Sequence, residues 1–416
     1  MNRRHVTALV FVLCCSTSSL AENWPNWRGP NFDGVAAPGD YPVQWTTTEN
    51  VIWKVALPSS AGSTPIVWGD HIFVDGARDG KNLVQCFDWD GNIQWEREQG
   101  TERQGKHRKG SGANPSPVTD GQHVYCYFKS GDLSCYDFTG KLIWQKNLQA
   151  EFGPDSLWWD LGTSPVLTDN CVIVACMQDA PSYVVALDKR TGKQVWKVDR
   201  NLNAPEESHQ AYTTPIVTKR GDTTVLLVLG SDHLTAHDAQ TGTELWRSAG
   251  FNPTGETRYR SIASAVVSGD TVVAPYARGK LLRALRLGGH GDVTDSHLAW
   301  EIKSDTPDVP TPAAVGDAII VCTDKGKVME LDVATGKVRV ERDLPAGRDA
   351  FSASPAVTQS HVYVTRENGT TYVLDRQQEL KVIAENRMDE SVIATPVLIQ
   401  NRVLLRTAEH LYCLGS

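Results

Sequence analysis

Beyond residue 21 the 416-residue chain has no apolar run long enough to cross a bilayer. It also lacks any excess of positive charge. Its 41 Lys and Arg stand against 49 Asp and Glu, a net −8, which excludes the dense positive field needed for non-specific nucleic-acid binding or for attachment to anionic lipid. Several enzyme signatures are missing as well: there is no nucleophile–base–acid set, no glycine-rich phosphate loop and no His/Cys metal spacing. The acidic pair Glu206-Glu207 is of a kind common on surfaces and implies no hydrolysis. With 40% hydrophobic residues the chain is nevertheless far from disordered.

The first 21 residues read as a secretory leader. Arg3, Arg4 and His5 precede the apolar run Val6 to Cys15, and Ser19-Leu20-Ala21 supplies small residues for cleavage before Glu22. The expected mature chain is periplasmic or secreted, with a net charge of −10 once Arg3 and Arg4 are gone. A lipid anchor at Cys14 or Cys15 is disfavoured, because Leu13 or Cys14 stands where a small residue is wanted. Seven cysteines remain, Cys86, Cys126, Cys135, Cys171, Cys176, Cys322 and Cys413, and an odd number cannot all pair within one chain.

What is present is a repeat. Ser63-Thr64-Pro65, Pro115-Ser116-Pro117, Thr163-Ser164-Pro165, Thr213-Thr214-Pro215, Ala263-Ser264-Ala265, Pro310-Thr311-Pro312, Ala353-Ser354-Pro355 and Ala394-Thr395-Pro396 are one motif at intervals of 52, 48, 50, 50, 47, 43 and 41 residues. Each opens a strand, followed by a polar turn and a β-branched run such as Ile72-Phe73-Val74 or Ile319-Ile320-Val321. A third strand then ends in Asp before a glycine turn and a closing strand, as in Asp188, Thr191-Gly192, Trp196 and Asp238, Thr241-Gly242, Trp246. The glycine provides positive φ, and the Asp and Thr side chains can bond the local backbone. Four short antiparallel strands at this period predict propeller blades. The last repeat, Thr395 to Leu414, has room for only three strands, while Val51-Ile52-Trp53-Lys54 has no partner of its own. The expectation is therefore an all-β, eight-bladed β-propeller spanning 50–416 as one domain, its ring closed by the N-terminal strand joining the last blade. Residues 22–49 are an extension packing on it.

Register assigns most of the conspicuous side chains to packing. Trp53, Trp95, Trp144, Trp196, Trp246 and Trp300 occupy blade-closing positions, where each can bury about 150 to 250 Å² between blades. His71, His123 and His361 share a turn-to-strand position in three separate blades, too far apart for a zinc ion needing ligands within about 2 Å. Cys86, Cys135 and Cys413 fall where other blades have Ala186 and Ala236, as small buried residues. Cys171 and Cys176 face opposite sides of one strand. Cys126 and Cys135 are expected directly opposite one another across a two-residue turn at Ser130-Gly131, leaving a disulfide open.

The Asp-x-x-Thr-Gly-x-x-x-Trp turns, the Ser/Thr-Pro strand openings and the terminal closure resemble the pyrroloquinoline-quinone-type propeller repeats across the whole mature chain. The opening Asn23-Trp24-Pro25-Asn26-Trp27-Arg28-Gly29-Pro30 is similar to that of secreted planctomycete members. The length and lack of large insertions resemble the BamB-like branch, which implies a periplasmic, non-catalytic scaffold in outer-membrane protein assembly. The quinoprotein alcohol or sugar dehydrogenase branch implies quinone (PQQ) with calcium, but its adjacent cysteine pair is matched only by Cys14-Cys15 in the leader, and its calcium ligands and catalytic Asp find no matching motif. No cofactor and no metal are expected.

Specificity should lie in the blade-to-blade connections, which are long and break the repeat. Residues 101–112 carry Arg103, Lys106, His107, Arg108 and Lys109, and read best as a solvated charge run. Residues 155–161 carry Trp158, Trp159 and Asp160; 206–212 carry Glu207, His209 and Tyr212; 257–260 carry Arg258, Tyr259 and Arg260. The candidate binding face is Trp158, Trp159, Asp160, His209, Tyr212, Arg258, Tyr259 and Arg260, with the Trp pair equally readable as a cap on the core. Its expected partner is a protein or peptide segment, or carbohydrate, met by a monomer.

Overall fold

The computed structural model describes residues 22–415, so the leader expected over residues 1–21 lies outside the described residues. Eight antiparallel sheets follow in chain order. Blades 1 to 7 take residues 66–99, 118–147, 166–199, 216–248, 266–302, 313–343 and 356–387. Blade 8 is built from both ends of the chain: Val51–Ala56 pairs antiparallel with His410–Leu414, setting Trp53 opposite Cys413 and Lys54 opposite Tyr412. This pairing hides two strand edges and closes the ring of an eight-bladed β-propeller. One departure from plain fourfold sheets occurs in blade 4. The long last hairpin of blade 5 sends Gly291–Asp292 back to pair in parallel with Trp246 and Arg247.

Each Asp-terminated third strand turns as its side chains dictate. Asp188 Oδ1 accepts the amides of Arg190 and Thr191 and the Thr191 hydroxyl, and Asp332 does the same for Thr335. The closing tryptophans then latch blade to blade. The indole N–H of Trp53, Trp95, Trp144, Trp196 and Trp300 donates to a carbonyl in the corresponding turn of the next blade, at 2.7 to 3.1 Å. The same rings lie flat against that turn's glycine. A Cβ at Gly91, Gly140, Gly192, Gly242 or Gly336 would fall 2.5 to 3.0 Å from the ring. Glycine thus serves two needs there, the left-handed turn and the space for an indole.

The pairing of the two residue types runs through the chain. Blade 6 closes with Val340 in place of Trp, and the matching turn of blade 7 has Glu379 in place of Gly. Trp246 instead packs with Val293 of the long blade 5 hairpin. Behind each ring sits a small residue on the neighbouring strand: Cys413, Cys86, Cys135, Ala186, Ala236 and Ala284 oppose Trp53, Trp95, Trp144, Trp196, Trp246 and Trp300. The seven cysteines are unpaired thiols. The expected facing of Cys126 and Cys135 is corrected. Cys126 opposes Ser134, and Cys135 opposes Tyr125, because the intervening turn spans three residues, 129–131, closed by Phe128 and Asp132. The one-residue shift puts the two thiols on opposite faces.

The eightfold motif has a function beyond opening strands. The amide of Thr64 donates to the Ser116 hydroxyl of the next blade, and the same bond recurs from Ser116 to Ser164, on to Thr214, Ser264, Thr311, Ser354 and Thr395, at 2.8 to 3.2 Å. Seven seams are sewn by this belt. At the seam between blades 8 and 1 the buried Arg406 guanidinium donates to the carbonyls of Ser63 and Asp75 and to the Ser63 hydroxyl.

Candidate functional site

The belt hydroxyls encircle the central channel, and the extension 22–49 closes one end of it. Trp24 pairs with Val67 in blade 1, the Pro25 carbonyl accepts the Thr119 amide in blade 2, and Val35 pairs with Val357 in blade 7. Arg28, 2% exposed, donates to the carbonyls of Pro312 and Pro355 in the openings of blades 6 and 7. Burial holds its guanidinium below the usual arginine range, at about 10, with Asp33 opposing. Its neighbour Trp27 is left facing the channel. The result is a cavity of about 430 Å³ with Trp27 at its base, the eight Ser and Thr hydroxyls around its wall, and the loops between blades at its mouth.

Those loops bring four of the candidate residues together: Trp159, Asp160, Tyr212 and Arg260 all line the cavity. Asp160 is buried, and its two oxygens accept the amides of Lys106 (2.8 and 3.0 Å) and His107 (3.0 Å) and the ammonium of the fully buried Lys129. Burial alone would raise this carboxyl; Lys129 and the two amides hold it below the usual carboxylate range. Arg260 forks onto both oxygens of Asp308, at 3.0 and 2.9 Å. Tyr212 donates to Gln210 Oε1 at 2.9 Å, and burial pushes its phenol up.

Trp158, His209, Arg258 and Tyr259 lie outside the cavity. Trp158 and Trp159 are 51% and 44% exposed, yet both are anchored: the Trp158 amide donates to Gln210 Oε1 at 2.8 Å, the Trp159 amide to the Tyr212 hydroxyl at 3.2 Å, and the Trp159 indole to Glu207 at 3.0 Å. A side chain capping the core would be covered, so the capping alternative does not describe this pair. Arg258 is exposed, Tyr259 half-buried with Lys280 5.7 Å from its ring centre, and the His209 carbonyl accepts the Ser231 hydroxyl.

Residues 101–112 are in part the solvated charge run expected of them, since Lys106, His107 and Arg108 are exposed, but the run is also tied down. Lys106 donates to the Leu157 carbonyl, Arg103 pairs with Asp155 at 3.1 Å, and Lys109 pairs with Glu367 at 2.6 Å. His107 and Lys109 line the cavity, with the His107 ring edge-on to Trp159 at 5.7 Å. Arg278, from a blade 5 turn, lines it too. Trp27 also lines it and carries no repeat signal, since it stands in the extension outside the repeat, whereas the belt hydroxyls are visible in the sequence as Ser or Thr at all eight motif positions.

No helix among the described residues is long and apolar enough to cross a membrane. The fold is shared by solved structures at low identity. BamB from Moraxella catarrhalis superposes with a TM-score of 0.65 at 16% identity, over 88% of this chain and 99% of that one. The quinohemoprotein alcohol dehydrogenase from Comamonas testosteroni gives 0.69 at 12% identity, over 96% and 82%. In sequence, the outer membrane protein assembly factor BamB of Burkholderia pseudomallei is 23% identical over 352 residues, 83% of this chain and 82% of that protein. The BamB of Yersinia pestis is 25% identical over 214 residues, 47% of this chain and 50% of that protein. The family profile described as outer membrane protein assembly factor BamB matches residues 35–180, 103–259 and 180–415, and the chain belongs to that family.

Proposed function

We propose that the protein is an exported, non-catalytic scaffold that holds a protein segment during outer-membrane protein assembly. The observation carrying this reading is the Trp158-Trp159 pair, two adjacent half-exposed indoles at the channel mouth on a backbone anchored by the hydrogen bonds to Gln210 and Tyr212. Immobilised, solvent-facing aromatics are the side chains that dominate protein interfaces when a partner desolvates them. Arg258 and Tyr259 extend the same rim. Membership of the BamB family supports the assembly role, and the leader pattern at Arg3 to Ala21 supports export.

Against a quinone–calcium dehydrogenase stands the donor set. Among the described residues Asp160 is the single carboxylate lining the cavity, and both its oxygens are taken by Lys129 and two amides. Adjacent cysteines of the dehydrogenase type are lacking after residue 21. The test is affinity capture from the cell envelope with the wild-type chain and with W158A/W159A. Recovery of β-barrel assembly components should fall at least tenfold in the double variant, and equal recovery would remove the rim as the docking face.

A further inference from the structure

We propose that the central cavity is a binding site for the end of a neutral glycan, one or two pyranose rings long. The argument starts from the belt. In seven of its eight hydroxyls one lone pair already accepts an amide from the preceding blade, and among the described residues none of the eight donates its own proton to another group. The wall of the cavity is therefore a circle of O–H donors, and a ligand that satisfies it must carry acceptor oxygens around its perimeter.

Charge decides between an anionic and a neutral occupant. Three cations line the cavity besides His107, and each already faces a carboxylate: Lys109 with Glu367 at 2.6 Å, Arg260 with Asp308 at 2.9 Å, Arg278 with Glu207 at 3.6 Å. Asp160 is matched by Lys129. Among the described residues a multiply charged anion would find no lysine or arginine at this wall free of a carboxylate, and would lose its hydration for little return. A sugar ring loses less. Its oxygens meet the hydroxyl circle, and its apolar C–H face suits the flat indoles of Trp27 and Trp159. The cavity's 430 Å³ falls within the range of about 300 to 1,000 Å³ typical of ligand sites, and the extension 22–49 makes it blind, so it admits a chain end and not a chain passing through.

This proposal shares Trp159 with the scaffold reading but is tested apart from it: capture by W158A/W159A reads the rim, whereas saccharide binding by Trp27→Ala reads the cavity alone. The experiment is calorimetric titration of the mature chain with maltotriose and with N,N′-diacetylchitobiose, alongside benzene-1,3,5-tricarboxylate as a planar anion. Saturable binding of a neutral probe is expected, weakened at least tenfold by Trp27→Ala. Trp159→Ala, whose indole is 44% exposed at the mouth, serves the same purpose where Trp27→Ala does not fold, as judged by circular dichroism. Failure of both saccharides to bind overturns the proposal, as does tighter binding of the tricarboxylate. Saccharide binding unchanged by the folded variants places it outside the cavity and overturns it equally.

Discussion

Replacing Gly192 by alanine isolates the contact that joins neighbouring blades. Gly192 has φ +67°, and an added Cβ would lie 2.7 Å from Trp144 ring atoms. Gly269 and Gly316, at φ +53° and +60°, have nothing within 4 Å of the same added atom. All three alanines carry the left-handed penalty of about 1 to 2 kcal/mol. Only Gly192→Ala must also push Trp144, which is 8% exposed and hydrogen-bonded to Lys189, out of its seat. Losing a buried Trp to alanine costs about 3 to 5 kcal/mol, so losing part of its seat should add about 2. Gly192→Ala should therefore destabilise by about 3 to 4 kcal/mol, and Gly269→Ala by about 1 to 2. Urea midpoints, with refolding checked, measure both. In a Trp144→Ala background the Gly192 penalty should fall to that of Gly269, because the ring it displaces is gone. Equal penalties for Gly192→Ala and Gly269→Ala in the wild-type background would refute the latch.

Ser164→Ala removes the acceptor of the buried Ser116 amide and should destabilise by about 1 to 3 kcal/mol in urea, whereas Ser164→Thr, the residue used at four other belt positions, should stay within about 1. Asp160→Asn leaves the Lys129 ammonium buried without its carboxylate; a loss of about 3 to 5 kcal/mol is expected, mostly recovered when Lys129→Met is added. Asp75 is fully buried, both its oxygens lack a conventional hydrogen-bond donor, and burial pushes its carboxyl up to about 8, with the Cys126 thiol and Arg406 opposing. The folded state thus binds this proton more tightly than the unfolded chain, so the stabilisation is complete below pH 4 or so and is lost as pH rises to about 8. Asp75→Asn should gain on the wild type by up to about 1.4 kcal/mol per pH unit between pH 5 and 8, and parallel stability profiles would show that Asp75 does not titrate there.

The repeat made the ring legible because each blade solves the same packing problem with the same residue types. The register of Trp246 opposite Ala236, or Trp95 opposite Cys86, follows from counting back from the glycine turn. The joint presence of Trp and Gly was legible too, since blade 7 lacks the glycine where blade 6 lacks the Trp, but its cause is spatial: the two residues belong to different blades and meet only after the ring forms. Turn length was the weak point. Lys129-Ser130-Gly131 reads equally as a two- or three-residue turn, and that single residue decides which face Cys126 and Cys135 present.

The cavity was legible only in part, for a reason that follows from symmetry. Eight equivalent hydroxyls can make a ring of donors but cannot choose a ligand or an orientation. Selection requires residues present once, and these come from the extension and from loops whose lengths differ between blades. Trp27 has no counterpart in any repeat, and its placement depends on Arg28 reaching the carbonyls of Pro312 and Pro355, roughly 300 residues away in sequence. Lys109 looked like solvent-facing charge because its partner, Glu367, stands on another loop, while His107 is exposed as expected but lies edge-on to Trp159. Buried ion pairs are costly to form and strongly destabilising to break. Lys129 with Asp160, and Arg260 with Asp308, each tie separate segments together at the mouth of the cavity, a placement that no single repeat could announce.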